Sequence, residues 1–249
     1  MSGHSKWATI KHKKAAQDAK RGKVFTRLIR EIQMASRHGG ADPDANPRLR
    51  TAVAAAKAQS MPADNIKRAI LRGSGQLEGE SLDEITFEGY APGGVAVMVD
   101  VVTDNRNRTV SEIRHAFSKN GGNMGETGCV GWMFDKRSFV VVPKEGVTED
   151  ELLEAVLGAG AEDMRDDGDN WAIVSPPDAH HDVLAALEVK KLEANSAEIT
   201  MVPQNSVKVE GKQAAAVLRM IEVLEEQDDV QNVYANFDIE DKELEALSA

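Results

Sequence analysis

Cysteine is almost absent from this chain of 249 residues: Cys129 stands alone. No internal disulfide can form, and no cysteine cluster can hold zinc or an iron–sulfur centre. A reducing compartment is the expected setting. Aromatic residues make up only 4%, so the cores must be built from Val, Leu, Ile, Ala and Met. Long apolar runs are missing as well. The best, Val95 to Val102, is interrupted by Asp100 and falls far short of the ~20 residues of a membrane span. The opening Met-Ser-Gly-His-Ser-Lys-Trp has no apolar h-region, which argues against secretion and for the cytoplasm. Catalytic signatures are lacking too: GxxxxGK[ST], GxGxxG, GxSxG and HExxH do not occur. His180 and His181 are adjacent, so on a helix they point about 100° apart and cannot chelate one metal; they read as surface residues. Asp163, Asp166, Asp167 and Asp169 fail the spacing of a calcium loop and read as a solvated turn. Cys129 has no evident base nearby and reads as buried. The chain is expected to be no enzyme, with no cofactor, no metal and no small-molecule substrate.

What the chain does have is hydrophobic residues at 41%, charged residues at 29%, and a net charge of −11. The first two values suit a globular protein. The third conceals a division. Residues 1–75 carry 16 Lys+Arg against 5 Asp+Glu, a net of +11, while residues 76–249 carry 14 against 36, a net of −22. A basic segment beside a strongly acidic remainder points to a polyanionic partner. Lys6, Lys11, Lys13, Lys14 and Lys20 crowd the first twenty residues, where only Trp7 and Ile10 are large and apolar. That segment reads as an arm, with Trp7 able to stack on a base or to pack on the fold. No membrane partner is expected.

A helix is predicted from Gly22 to Arg37, stopped by Gly39-Gly40. On a wheel, Lys23, Arg27, Arg30 and Arg37 line one side, opposite Val24, Phe25, Leu28, Ile29, Ile32 and Ala35. Asn46-Pro47 reads as N-cap and first position of a second helix, and Pro62 starts a third that Gly73 closes. Beyond Gly79 the pattern becomes β-α-β: strand Val95–Val102, helix Thr109–Asn120, strand Val130–Phe134. Residues 139–202 read as β-α-β-β-α-β, the ferredoxin-like order, and residues 207–237 as β-α-β again. The fold class is therefore α+β: a three-helix domain followed by two ferredoxin-like α/β domains, one inserted into the other. The boundaries are 1–78, then 79–135 plus 204–249, with 136–203 inserted; three serial units are the alternative, and the incomplete β-α-β halves on either side favour insertion. Arg106 and Arg108 fall in a loop before a helix N-terminus, where backbone donors favour anions. They read as a second phosphate contact, or as solvated arginines beside the turn and cap residues Asp104 and Thr109.

Gly3-His-Ser-Lys-Trp-Ala-Thr-Ile-Lys-His-Lys-Lys-Ala-Ala-Gln-Asp-Ala-Lys-Arg-Gly-Lys23 closely resembles the opening of the YebC family. So do Asn65–Ile70, Phe87-Glu-Gly-Tyr-Ala-Pro-Gly-Gly-Val95, Asp104-Asn-Arg-Asn-Arg-Thr109 and Lys119-Asn-Gly-Gly-Asn123. The resemblance covers essentially the whole chain. It implies three domains, one inserted, and a cytoplasmic bacterial protein of a kind usually described as a DNA-binding transcriptional regulator. Mitochondrial relatives are translational activators, and family members have been connected with ribosomes and difficult peptide-bond formation. By that match Lys6, Lys11, Lys13, Lys14, Lys20, Arg21 and Lys23 carry over as nucleic-acid contacts. Arg27 and Arg30 of the helix stripe join them, with Arg106 and Arg108. The partner is then DNA or ribosomal RNA, with two readings of the role: a DNA-binding transcriptional regulator, or a ribosome-associated RNA-binding translation factor. No helix-turn-helix is recognisable in support of the first.

Overall fold

The structure, a computed structural model, describes residues 21–79 and 81–248. Helix α1 spans Arg21–Gly39. Its Ile32 and Ala35 are buried with Leu49, Ala52, Ala56, Met61, Ile66 and Ala69, and Phe25, Leu28 and Ile29 pack at the margin. Helix α2 (Pro47–Ala58) begins at the expected cap: the Asn46 side chain accepts from the Leu49 N–H at 3.1 Å. The Asn46 amide donates to the Ala35 and Gly40 carbonyls at 2.8 and 2.9 Å. One buried side chain thus joins the end of α1 to the start of α2. Helix α3 (Ala63–Gly73) packs so tightly on α1 that a Cβ at Gly73 would collide with the Gln33 backbone; glycine alone permits the approach.

Strand β1 (Asp83–Ala91) pairs antiparallel with β2 (Val95–Thr103) from Asp83↔Thr103 to Ala91↔Val95. The turn between them needs two left-handed residues in succession, Gly93 and Gly94, each at φ +79°. Strand β1 was not expected from the sequence. Helix α4 (Arg106–Lys119) follows, then strand β3 (Asn123–Met124), which pairs with β1. Two expectations change here. Arg106 and Arg108 lie in the first turn of α4 rather than in a loop, because Asn105 caps the helix by accepting from the Arg108 N–H at 3.1 Å. The strand expected at Val130–Phe134 is absent up to Met133: Val130–Met133 is a turn and a short 3-10 segment at Gly131–Met133, and a strand begins only at Phe134. The Glu88 carboxylate accepts from the N–H groups of Gly128, Val130 and Gly131 at 2.8, 2.7 and 2.6 Å. Those donors are lost to any sheet ladder.

Residues 132–206 make one compact unit. Within it run β4 (Phe134–Pro143), α5 (Glu149–Gly158), β5 (Asp163–Asp167), β6 (Asn170–Ser175), α6 (His180–Val189) and β7 (Ser196–Pro203). The sheet order β5-β6-β4-β7 is the ferredoxin-like arrangement. Val140, Val142, Trp171 and Ile173 meet Leu152, Val156, Val183 and Leu187 in its core. Thr148 caps α5 in a reciprocal box with Glu151. His180 is not merely a surface residue: its Nδ1 lies 2.8 Å from the buried Ser138 hydroxyl.

The chain then continues through β8 (Val207–Lys208), α7 (Gly211–Glu225), β9 (Val230–Ala235), β10 (Phe237–Asp238) and α8 (Asp241–Ser248). Of the described residues, those from 21 to 131 and from 207 to 248 form the second compact unit, so α1–α3 share a unit with this second sheet. The sheet runs β3-β1-β2-β9. One of its faces, with Phe87, Val97, Val99, Val101 and Val233, is covered by Ile113, Ala116 and Phe117 of α4 and by Val217, Leu218, Ile221 and Leu224 of α7. No described helix is long and apolar enough to cross a membrane.

Candidate nucleic-acid interface

Of the residues proposed from the sequence, Lys6, Lys11, Lys13, Lys14 and Lys20 lie outside the described residues. Arg21 opens α1. The others fall into two groups, those engaged by the protein itself and one that is free.

Lys23, Arg27 and Arg30 recur at helical spacing on α1 and reach the same place, the C-terminus of α7. Lys23 Nζ donates to the Glu226 carbonyl at 2.6 Å, the Arg27 guanidinium to the Glu225 carbonyl, and Arg30 to the Asp228 carbonyl at 2.6 Å. The last carbonyls of a helix have no partner within it, and the dipole there is negative. Lys23 and Arg27 satisfy both demands, and Arg30 takes a carbonyl of the turn that follows. Burial draws the Arg27 guanidinium below its ordinary pKa, with Asp228 opposing. Arg37 belongs to the same stripe and donates to the Leu82 carbonyl at 2.6 Å.

The stripe ends on a carboxylate that sequence reasoning missed. Asp229, 3% exposed, accepts from Arg30 at 2.8 Å, from Arg108 at 2.8 Å, and from the hydroxyls of Thr103 and Thr109 at 3.0 and 2.6 Å. It therefore joins α1, the first turn of α4 and the end of β2. Burial would raise its pKa. The Thr109, Arg108 and Thr103 hydrogen bonds and the Arg30 charge outweigh that, so the carboxyl lies below its ordinary value. Arg108 is held also by Asp104 at 2.8 Å, and these two carboxylates raise its pKa. Nothing local in the sequence marks Asp229, since its partners lie between 120 and about 200 residues away.

Arg106 differs. It is exposed in the first turn of α4, and no hydrogen bond or ion pair to a described residue engages its side chain. Lys57 of α2 and Lys67, Arg68 and Arg72 of α3 are exposed and likewise without such partners among the described residues. The cations of the helical region thus divide by function. One set ties α1 to α7, and the other presents free charge on α2 and α3. By contrast Arg48 is taken up by Glu31 and Glu84, both at 2.8 Å.

The Cys129 thiol is pushed up by burial and by Glu88, the opposite of what a nucleophile requires. Among the described residues no group of three or more His, Cys, Asp or Glu is placed to hold a metal ion.

Comparison with known proteins follows these elements closely. Residues 5–76 match the family described as "TACO1/YebC protein N-terminal domain", and residues 82–237 the one described as "TACO1/YebC second and third domain". A "Probable transcriptional regulatory protein" of Solibacter usitatus is 64% identical over 248 residues, covering 100% of both chains. One of Koribacter versatilis is 60% identical over 248 residues, again covering 100% of both chains. The crystal structure of a conserved hypothetical protein from Aquifex aeolicus has 48% identity and a TM-score of 0.79, covering 90% of this chain and 93% of that one. Matches to both parts of the chain, and relatives aligned from end to end, lead to one assignment: this chain belongs to the TACO1/YebC family.

Proposed function

We propose that the chain is a non-enzymatic, nucleic-acid-binding regulator of gene expression acting in the cytoplasm, and specifically a DNA-binding transcriptional regulator. The observation that carries this reading is the net +11 of residues 1–75 against the net −22 of the remainder. A polyanion is drawn to the first by counterion release and repelled by the second. The names of the relatives, transcriptional regulatory proteins, favour DNA as that polyanion. In this reading Lys6, Lys11, Lys13, Lys14, Lys20 and Arg21 make phosphate contacts. Lys57, Lys67, Arg68 and Arg72 extend them, and Lys23, Arg27, Arg30 and Arg108 hold the platform together.

A second reading has its own support. An acidic remainder of this size suits a neighbour rich in basic protein. A ribosome supplies such a surface beside RNA, which makes a ribosome-associated RNA-binding translation factor the alternative. Crosslinking in cells, followed by sequencing of the attached nucleic acid, tests both. Enrichment of promoter DNA supports the first, and enrichment of ribosomal RNA replaces it with the second. Recovery of no nucleic acid overturns both.

A further inference from the structure

Residues 76–249 hold 36 acidic and 14 basic side chains, yet α4 alone carries four of those basic residues, Arg106, Arg108, Arg114 and Lys119, against one acid, Glu112. This helix reverses the charge of its surroundings. Elsewhere in the acidic part four cations are paired: Arg137 with Asp135 and Glu162, Lys144 with Asp166, Arg165 with Asp163, Lys208 with Glu210 and Glu240, while Lys136, Lys190, Lys191, Lys212 and Arg219 are exposed on other elements. On α4 only Arg108 is so treated. Arg106 and Arg114 are exposed, with no partner among the described residues.

Their placement on the helix is ordered. The core side is formed by Thr109, Ile113, Ala116 and Phe117. Asn107, Ser111, Arg114 and Ser118, all exposed, follow one another at i, i+4, i+7 and i+11 along the opposite side, a line about 16 Å long at 1.5 Å per residue. Arg106, the first residue of the helix, is exposed about 110° around the axis from that line. Ser111 and Ser118 fold back on the helix, their hydroxyls donating to the Asn107 and Arg114 carbonyls at 3.0 and 2.8 Å. The line is therefore free of acid, and Arg114 stands on it between two serines. Glu112 lies on a flank and Asp104 is turned to Arg108. One strand of a duplex presents about five phosphates over that length, and the guanidinium fork matches phosphate oxygens.

We propose that the exposed surface of α4, with Arg106 and Arg114 as its phosphate contacts and Asn107, Ser111 and Ser118 as the low ground beside them, is a second nucleic-acid docking surface, separate from the basic N-terminal segment. The inference rests on the nucleic-acid reading above. It makes the acidic part of the chain a participant in binding, through one helix.

The test uses the full chain and a labelled short DNA duplex and RNA duplex of the same sequence, with anisotropy titrations over a salt series. R106Q/R114Q should flatten the dependence of log K on log salt by roughly 1.8 for DNA, about 0.9 per phosphate contact. S111E should weaken binding to both probes, and R106K/R114K, which keeps the charge, should retain most of the slope. Melting curves of each variant should match the parent, since these side chains touch no core. An unchanged slope in R106Q/R114Q, with a reduced slope in K11Q/K13Q/K14Q, overturns the α4 surface while leaving the nucleic-acid reading intact. Failure of the parent chain to bind either duplex overturns the reading itself. If R106Q/R114Q leaves both duplexes unaffected but loses binding to a poly-glutamate peptide, α4 docks an acidic protein and the proposal is wrong.

Discussion

Replacing Asp229 should detach the helical region from the sheet of its unit. The carboxylate is 3% exposed and receives four donors, two of them guanidinium groups. Removing one partner of a buried ion pair costs about 3–5 kcal/mol, because the other charge is left unpaired. Arg30 is 16% exposed and bears most of that cost; Arg108 is 42% exposed, and water replaces much of what it loses. The two threonine hydroxyls, 2.8 Å apart, keep other acceptors in each other and in the Asn105 carbonyl and add little. Asp229→Ala should therefore cost about 3–5 kcal/mol. Asp229→Asn keeps an oxygen for the threonines and should cost about half as much. Amide exchange on the full chain, read by peptide, is the suitable assay, since a chain of two units need not unfold in one step. Faster exchange is expected in α1, the first turn of α4 and the end of α7, and none in residues 132–206. The pH dependence has a definite sign. The folded carboxyl lies below its unfolded value, so its contribution is complete above about pH 4 and fades as pH falls through the folded value. Asp229→Asn should abolish that acid-induced loosening. A cost under about 1 kcal/mol for Asp229→Ala, with unaltered exchange in α1, would refute the assignment.

Three further outcomes follow from the same geometry. R27Q/R30Q should lower the melting temperature and leave the salt dependence of nucleic-acid binding nearly unchanged, because both side chains serve carbonyls of the protein; a flattened slope with normal stability would return them to the interface. Glu88→Gln should speed exchange of the Gly128, Val130 and Gly131 amides, since the depressed carboxyl that binds all three loses its charge; protection equal to the parent counts against that role. We propose the nested organisation as a further case: a chain in which residues 136–203 are replaced by a short Gly-Ser joint should keep native exchange protection in 79–135 and 204–249, and loss of protection there would favour serial domains.

The helices were legible wherever local chemistry punctuated them. Asn46-Pro47, Pro62 and the glycines at 39–40 and 73 mark ends that depend on residues within one turn. The β-α-β-β-α-β order read over 139–202 was legible for the same reason, its strands and helices being bounded by turn residues, although its first strand begins earlier, at Phe134. Strand β1 was overlooked although Ile85 and Phe87 alternate with Glu84, Thr86 and Glu88; its glycine and acidic residues obscured the pattern. Val130 was misread because its apolar character says nothing of Glu88, 42 residues away, which takes its N–H. The basic stripe of α1 was found, but its destination was not. A stripe of cations looks the same whether phosphate or a helix C-terminus faces it, and the acceptors at 225–229 lie about 200 residues downstream. Arg114 was passed over because it stands outside any motif and gains meaning only from the exposed face it shares with Asn107 and Ser111.

The central claim is that the basic N-terminal segment binds nucleic acid through its phosphates. Its most direct test is the salt dependence of duplex binding by the full chain, with Lys6, Lys11, Lys13, Lys14 and Lys20 changed together to Gln. Each lost contact reduces the slope of log K against log salt by about 0.9 on DNA, so the five should remove roughly 4.5. Sequence preference, where present, should survive. A slope equal to that of the parent chain would contradict the account.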